Sequence, residues 1–176
     1  VARPDFPVAD RSGFADPDLT AAAKGIYLIR DYRPGSMPMG TVWAQGASAT
    51  CNLVKVLPRL ESDGVNVRVA AVISPELFEV QPAGYRDRVL PPGARFDSMV
   101  VSTFTRRVPP VAGLGPLTDE YSLYSDHDDR WRTGGSEADV IAEAGLDPES
   151  IHSAVARFAR ERGDRLERQR RALSEL

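Results

Sequence analysis

Few residues in this chain have the type to do chemistry, and their spacing decides what each could contribute. There are two histidines, His127 and His152, and one cysteine, Cys51. Ser48, Cys51 and Ser136 have no histidine and acid beside them in sequence, so no activated nucleophile is read from them. The run SDHDDR at 125–130 sets three carboxylates around His127. Consecutive residues cannot all face one cation and the spacing of a calcium loop is missing, so this run reads as a solvated loop rather than a metal site. In QGAS at 45–48, backbone N–H groups at a helix N-terminus could cradle an anion. The wider GxGxxG pattern is absent, which favours a tight strand-to-helix turn that requires glycine. Tyr85-Arg86-Asp87-Arg88 offers either a ligand-binding face or charge pairs on a bracing helical turn.

Composition bounds the functions these residues could serve. A chain of 176 residues with 42% hydrophobic content suits one domain with a real core. Its 22 basic and 25 acidic residues leave a net charge of −3, so no overall positive field recruits nucleic acid or an anionic membrane. The single Cys51 excludes an internal disulfide and any multi-cysteine metal site, and it reads as a buried thiol in a reducing compartment. No apolar run approaches the roughly 18 residues of a membrane span, and the N-terminus lacks the regions of a secretory signal. A soluble, cytoplasmic protein is expected. The chain starts at Val1 in an extended, proline-containing segment, VARPDFPV, which suggests that it was cut from something longer.

The elements that must position these residues follow from periodicity. Residues 1–24, with Pro4, Pro7, Gly13 and Pro17, read as a linker that wraps a surface and ends in a short helical turn. GIYLIRD at 25–31 alternates like a strand, with turn residues after it. TVWAQ at 41–45 reads as a buried strand that gives way at Gly46 to a helix carrying Leu53, Val54, Val56, Leu57 and Leu60; Pro58 should kink or end it, yet the pattern runs to Asp63-Gly64. VNVRVAAVIS at 65–74 reads as a central strand covered on both sides. PELFEVQ and GYRDRVL give two helical turns, and SMVVSTF at 98–104 returns to strand. Residues 105–120 hold too many breakers for a helix and read as a long surface loop. EYSLY at 120–124 reads as the last strand. SEADVIAEAGL forms a helix stopped by Gly145, and Asp147-Pro148 caps the next, whose apolar stripe is Ile151, Val155, Phe158 and Ala159. From Glu161 onward alternating charges predict a solvated or frayed helix. Strands alternating with helices argue for a three-layer α/β/α domain with a mostly parallel, roughly five-stranded sheet.

Assembled in order, these pieces form a series: KGIYLIRD, AQGAS with its helix, DGVNVRVAAVISPELFEVQPAGYRDRVLPPG, and GGSEADVIAEAGLDPESI. The series resembles the C-terminal domain of transketolase, most closely from Asp63 to Gly93. In that family a small-residue VRV strand leads to S-x-ELF-x-x-Q, and YR-x-x-VLPP closes the element. The resemblance implies the division 1–24, a linker from a preceding pyrimidine-binding domain; 25–160, a transketolase C-terminal-like domain; and 161–176, a charged helical tail. It further implies a homodimeric parent enzyme of the pentose phosphate pathway that transfers a two-carbon ketol unit between sugar phosphates. That parent would use thiamine diphosphate and Mg held on its two larger domains, which would be this chain's partners. The third domain supplies no cofactor, metal or catalytic residue, so the chain alone is expected to be inactive. In keeping with this, the sequence has no GDG followed about 25 to 30 residues later by Asn, as a Mg-diphosphate site of this kind needs.

One contribution to substrate binding is implied at the start. The family's S-R-x-x-L/F-P junction carries an arginine that contacts the sugar phosphate, and VARPDFP matches it at Arg3, with Ala2 in place of the serine. A planar guanidinium suits bidentate phosphate binding. The chain departs from the family pattern in two places: Ser102 and Thr103 stand near its usual acid, and Thr133 replaces a phenylalanine before Gly134, Gly135 and Ser136. Two alternatives stay open: the equivalent domain of the E1 component of pyruvate dehydrogenase, and a free-standing module that binds a protein or ligand.

Overall fold

A computed structural model describes residues 9–130, 132 and 134–174. Five strands build one sheet: β1 (Ile26–Arg30), β2 (Thr41–Gln45), β3 (Arg68–Val72), β4 (Ser98–Ser102) and β5 (Leu123–Tyr124). Their spatial order is β1-β3-β2-β4-β5, with β1 antiparallel to β3 and every other pair parallel. The expected three-layer, mostly parallel arrangement is therefore present.

Period-2 alternation sorts side chains to two separate cores. Tyr27, Ile29, Val42, Ala44, Val69, Ala71, Met99 and Val101 point to one face, where they meet helices α1 (Ala47–Ser62) and α6 (Pro148–Arg160) through Leu53, Val56, Leu60, Ile151, Val155 and Phe158. Ile26, Leu28, Trp43, Ala70, Val72 and Val100 point to the other. There they meet Phe78 of α2 (Pro75–Glu79), Val89 of α3 (Ala83–Val89), the turn at Pro92–Ala94, and Val111 from the long loop. No helix among the described residues is long and apolar enough to cross a membrane.

Helix boundaries follow local chemistry. The Ser74 hydroxyl accepts the Leu77 N–H and Asp147 accepts from Glu149 and Ser150, capping α2 and α6, each with proline in its first turn. Pro58 lies inside α1, which nonetheless runs to Ser62. The expected strand at 120–124 is replaced by a helical turn, α4 (Thr118–Tyr121), followed by the two residues of β5. Ser122 is the reason: its hydroxyl donates to the Thr118 carbonyl and accepts the Val100 N–H, so a side chain takes the ladder position a strand backbone would fill.

Both chain ends described here are fastened to the domain. Residues Ala15 and Asp16 run beside β1, donating N–H bonds to the Ile29 and Leu28 carbonyls, while the Asp16 carboxylate accepts the Leu28 N–H; this covers the outer sheet edge. At the other end, helix α5 (Glu137–Glu143) precedes α6, and α7 (Arg162–Ser174) is helical as expected but is not solvated throughout. Arg165 and Gln169 are buried. The Arg165 guanidinium donates to the Asp97 carboxylate at 2.6 Å and to the Phe158 carbonyl, and lies 3.6 Å from the Phe158 ring centroid; Arg162 meets the other Asp97 oxygen at 2.6 Å. The sequence pattern hid this anchor because the buried face of α7 is made by charged side chains.

Removing the Asp97 carboxylate should leave a fully buried guanidinium without its counter-ion. Asp97→Ala is expected to cost about 3 kcal/mol or more. The drop should appear as a lower urea midpoint, with loss of α7 helicity by circular dichroism; an unchanged midpoint would mean that α7 docks without the pair.

Candidate functional site

Four parallel strands end together at Gln45, Val72, Ser102 and Tyr124, the edge where ligands collect in open α/β sheets. The chain leaves β2 toward β3 on one side, while β4 leads to β5 on the other, so a crevice opens between the ends of β2 and β4. Its floor is polar and closed. Ser102 Oγ donates to Gln45 Oε1 at 3.0 Å and accepts the Phe104 N–H at 3.0 Å, and the Thr103 N–H donates to the Gln45 carbonyl at 3.1 Å. Gly46 turns the chain from β2 into α1 with φ at 90°, and a Cβ there would lie 1.8 Å from Thr103 Oγ1. Only glycine fits this turn. No side chain caps the N-terminus of α1.

A hollow of about 720 Å³ lies beside this turn. Hydroxyls of Ser48, Thr103, Thr105 and Ser125 line it, with Val140 and Ile141 of α5 forming an apolar wall. Residues 125–130 and Arg132 frame the opening. Asp126 accepts Thr105 Oγ1 at 2.6 Å and the Arg106 N–H at 3.0 Å. The Thr105 hydroxyl, with help from Arg106, holds the Asp126 carboxyl below the usual carboxylate range against the opposing effect of burial. Arg132 donates to the carbonyls of Ser125 and Glu143 and pairs with Asp128 at 3.1 Å, tying the loop to α5. Burial pushes the Tyr124 hydroxyl up to about 12, so it stays neutral at the base of this loop. A second hollow of about 440 Å³, between α1 and the segment at 9–19, is walled by Tyr27, Cys51, Val54, Ile73 and Phe104.

The transketolase-like TK C-terminal domain family matches residues 25–108. This segment is a transketolase C-terminal-like domain. The chloroplastic transketolase of Solanum tuberosum is 33% identical over 92 residues, which are 51% of this chain and 12% of that protein. Among solved structures, transketolase from Leishmania mexicana superposes with a TM-score of 0.55 at 21% identity over 86% of this chain, and a Pichia stipitis transketolase mutant does so at 0.55 and 17% over 79%. A split-gene transketolase described as an inactive beta4 tetramer gives 0.50 at 13% identity over 80%. These likenesses show a shared fold. The chain spans 20% of the Leishmania protein's length and 44% of the split-gene chain.

Within this transketolase-like domain the sequence-identified residues take different places. Arg3 and Thr133 lie outside the described residues. Tyr85 donates its hydroxyl to the Ile26 carbonyl at 2.7 Å, Arg88 pairs with Asp16 at 3.0 Å and Arg86 with Glu79 at 3.1 Å; the YRDR turn braces the sheet and its covering segment. The SDHDDR carboxylates diverge, Asp126 to Thr105, Asp128 to Arg132 and Asp129 to Arg106. Among the described residues no three His, Cys, Asp or Glu side chains gather as a metal group. Ser136 caps α5, His152 Nε2 meets Asp63 at 2.7 Å, and Cys51 is half-buried beside the second hollow. Sequence reasoning missed the convergence of Ser48 with 103–107, 125–132 and 140–146. Those segments carry no shared motif, and only the strand order joins them.

Two outcomes check this geometry. Gly46→Ala combines a positive φ with contact against Thr103 and is expected to lower stability by about 2 kcal/mol, read from a urea unfolding curve. Because the Asp126 pKa is lower in the fold than in the unfolded chain, its stabilising effect is complete above the ordinary carboxylate value and is lost as pH falls through the lowered one. The Arg106 amide resonance should therefore move on acidification, and Asp126→Asn should abolish that movement.

Proposed function

We propose that this chain is the third domain of an enzyme that transfers a two-carbon ketol unit from a ketose phosphate to an aldose phosphate. The observation that carries the reading is the family match over 25–108, joined to a fold that structures of transketolases share. Thiamine diphosphate, which supplies carbanion stabilisation, and its divalent metal are assigned to the other domains of the parent. The acids of the 125–130 run do not fit that group: Asp126, Asp128 and Asp129 each engage a different partner instead of converging as an oxygen cage.

The role proposed for this domain is assembly and framing of the substrate channel, without catalytic residues of its own, so that the isolated chain is inactive. Exposed apolar side chains support contact with the rest of a homodimeric parent. Leu19 is 73% exposed, Ile73 61% and Val80 76%, and Phe104 is also exposed. Arg3 is proposed to bind the sugar phosphate through a bidentate guanidinium contact. The free thiol of Cys51 accords with a reducing compartment, which we take as the cytoplasm, and the reaction class with the pentose phosphate pathway.

The test is to purify the complete parent enzyme and assay a ketose phosphate donor with an aldose phosphate acceptor, thiamine diphosphate and Mg. Ketol transfer is expected; oxidative decarboxylation of a 2-oxo acid without ketol transfer would overturn the reading. In the same enzyme Arg3→Ala should raise KM for phosphorylated donors about 10-fold or more. The unphosphorylated donor should be unaffected, and equal effects on both donors would remove Arg3 from phosphate binding.

A further inference from the structure

The hollow at the carboxyl edge of the sheet has an imbalance that the packing of the fold does not use. Its acids are already engaged: Asp126 accepts from Thr105 and Arg106, and Asp129 pairs with Arg106. Its cations are not engaged to the same extent. Arg107 lines the hollow and makes no ion pair among the described residues, and Arg130 reaches only Glu143, at 3.8 Å. Arg132, with a side chain just 7% exposed, also lines it; its terminal nitrogens are held by Asp128 and by the Ser125 and Glu143 carbonyls, but its buried Nε has no hydrogen-bond partner. An unsatisfied buried donor carries a desolvation cost, which a bound acceptor would recover.

The same wall receives the N-terminus of α1. This helix is 16 residues long, with Gly46 at its N-cap and no side chain capping it; Ser48 in its first turn lines the hollow, while Gly46 and Ala47 line the second hollow on the other side. Uncapped N–H groups and the helix dipole favour negative charge at that end. Helix terminus, hydroxyls and arginines thus converge on one space from different elements. That space exceeds what a free inorganic ion fills, and Val140 and Ile141 give it an apolar side.

We propose that this hollow binds a small phosphate ester, with the phosphate between the α1 N-terminus and the arginines and the organic body against Val140 and Ile141. The proposal rests on the lining of this hollow and not on the ketol-transfer reading. An apolar wall favours a ligand with a planar ring over a bare sugar, so a nucleoside monophosphate should bind more tightly than a sugar phosphate.

Calorimetric titration of the 176-residue chain with AMP, ribose 5-phosphate and inorganic phosphate tests this directly. Saturable binding is expected, with AMP tightest and inorganic phosphate weakest. Arg107→Ala should weaken AMP binding about 10-fold, and Arg107→Ala with Arg130→Ala about 100-fold, while the unfolding midpoint stays unchanged because both side chains are exposed. Arg160→Ala, on α6 away from the hollow, should leave affinity unaltered. Ribose 5-phosphate binding as tightly as AMP, with both lost in the double variant, would keep the phosphate site and assign it to sugar phosphates. No saturable heat at millimolar ligand, equal affinity for inorganic phosphate and both esters, or undiminished binding in the double variant would each overturn the proposal.

Discussion

Strand β2 is the constraint from which the remaining architecture follows. It pairs in parallel with β3 on one edge and β4 on the other, and all five of its residues are buried. A parallel strand cannot be joined to its neighbour by a hairpin, so each exit must cross a face of the sheet. The first crossover, through α1, returns to β3 over the face of Val42 and Ala44; the second, through α2 and α3, carries the chain from β3 to β4 beneath Trp43. Two cores on opposite faces are the necessary result. The crevice between the ends of β2 and β4 is likewise a consequence of connections that diverge there, so the site is inherited from topology before any side chain is considered.

Most of the fold was legible because burial writes itself into period. The alternation of Ile26 and Leu28 against Tyr27 and Ile29, and the unbroken apolar run at 69–73, specified strands and the number of faces each buries. The capping signal at Asp147 was equally local. Where the reading failed, a single polar contact displaced a pattern. Ser122 filled a ladder position and ended the strand expected at 120–124, and Arg165 turned a highly charged helix into a docked one. Neither contact has a sequence signature, since each depends on a partner over 20 or more residues distant.

The candidate site was less legible for a related reason. A strand-to-helix glycine can be recognised in QGAS, but its closeness to Thr103, and hence the shape of the turn, comes from the β2–β4 pairing. The arginines of 107–132 gave no pattern at all, being spread over loops whose positions are set by hydrogen bonds to the Ser125 and Glu143 carbonyls and by Asp126. The YRDR turn is the opposite case. Its charges sit in a short helix whose function as a brace could be weighed from i-to-i+4 chemistry, and the contacts to Ile26 and Asp16 settle which of the two readings operates.

Tail docking through Arg165 and the open hollow at the carboxyl edge illustrate one rule with opposite outcomes. At Asp97 two guanidinium groups converge on a carboxylate that the β3-to-β4 connection positions, and the charge is neutralised inside the protein. Such a pair adds little net stability against an apolar replacement, yet it fixes where α7 lies because any other placement strands a buried charge. At the carboxyl edge the carboxylates were consumed in shaping their own loop, leaving Arg107, the Nε of Arg132 and an uncapped helix end unanswered beside the same space. A fold that satisfies its buried ions at one place and leaves a positive surplus at another carries instructions for assembly in the first and for recognition of something negative in the second.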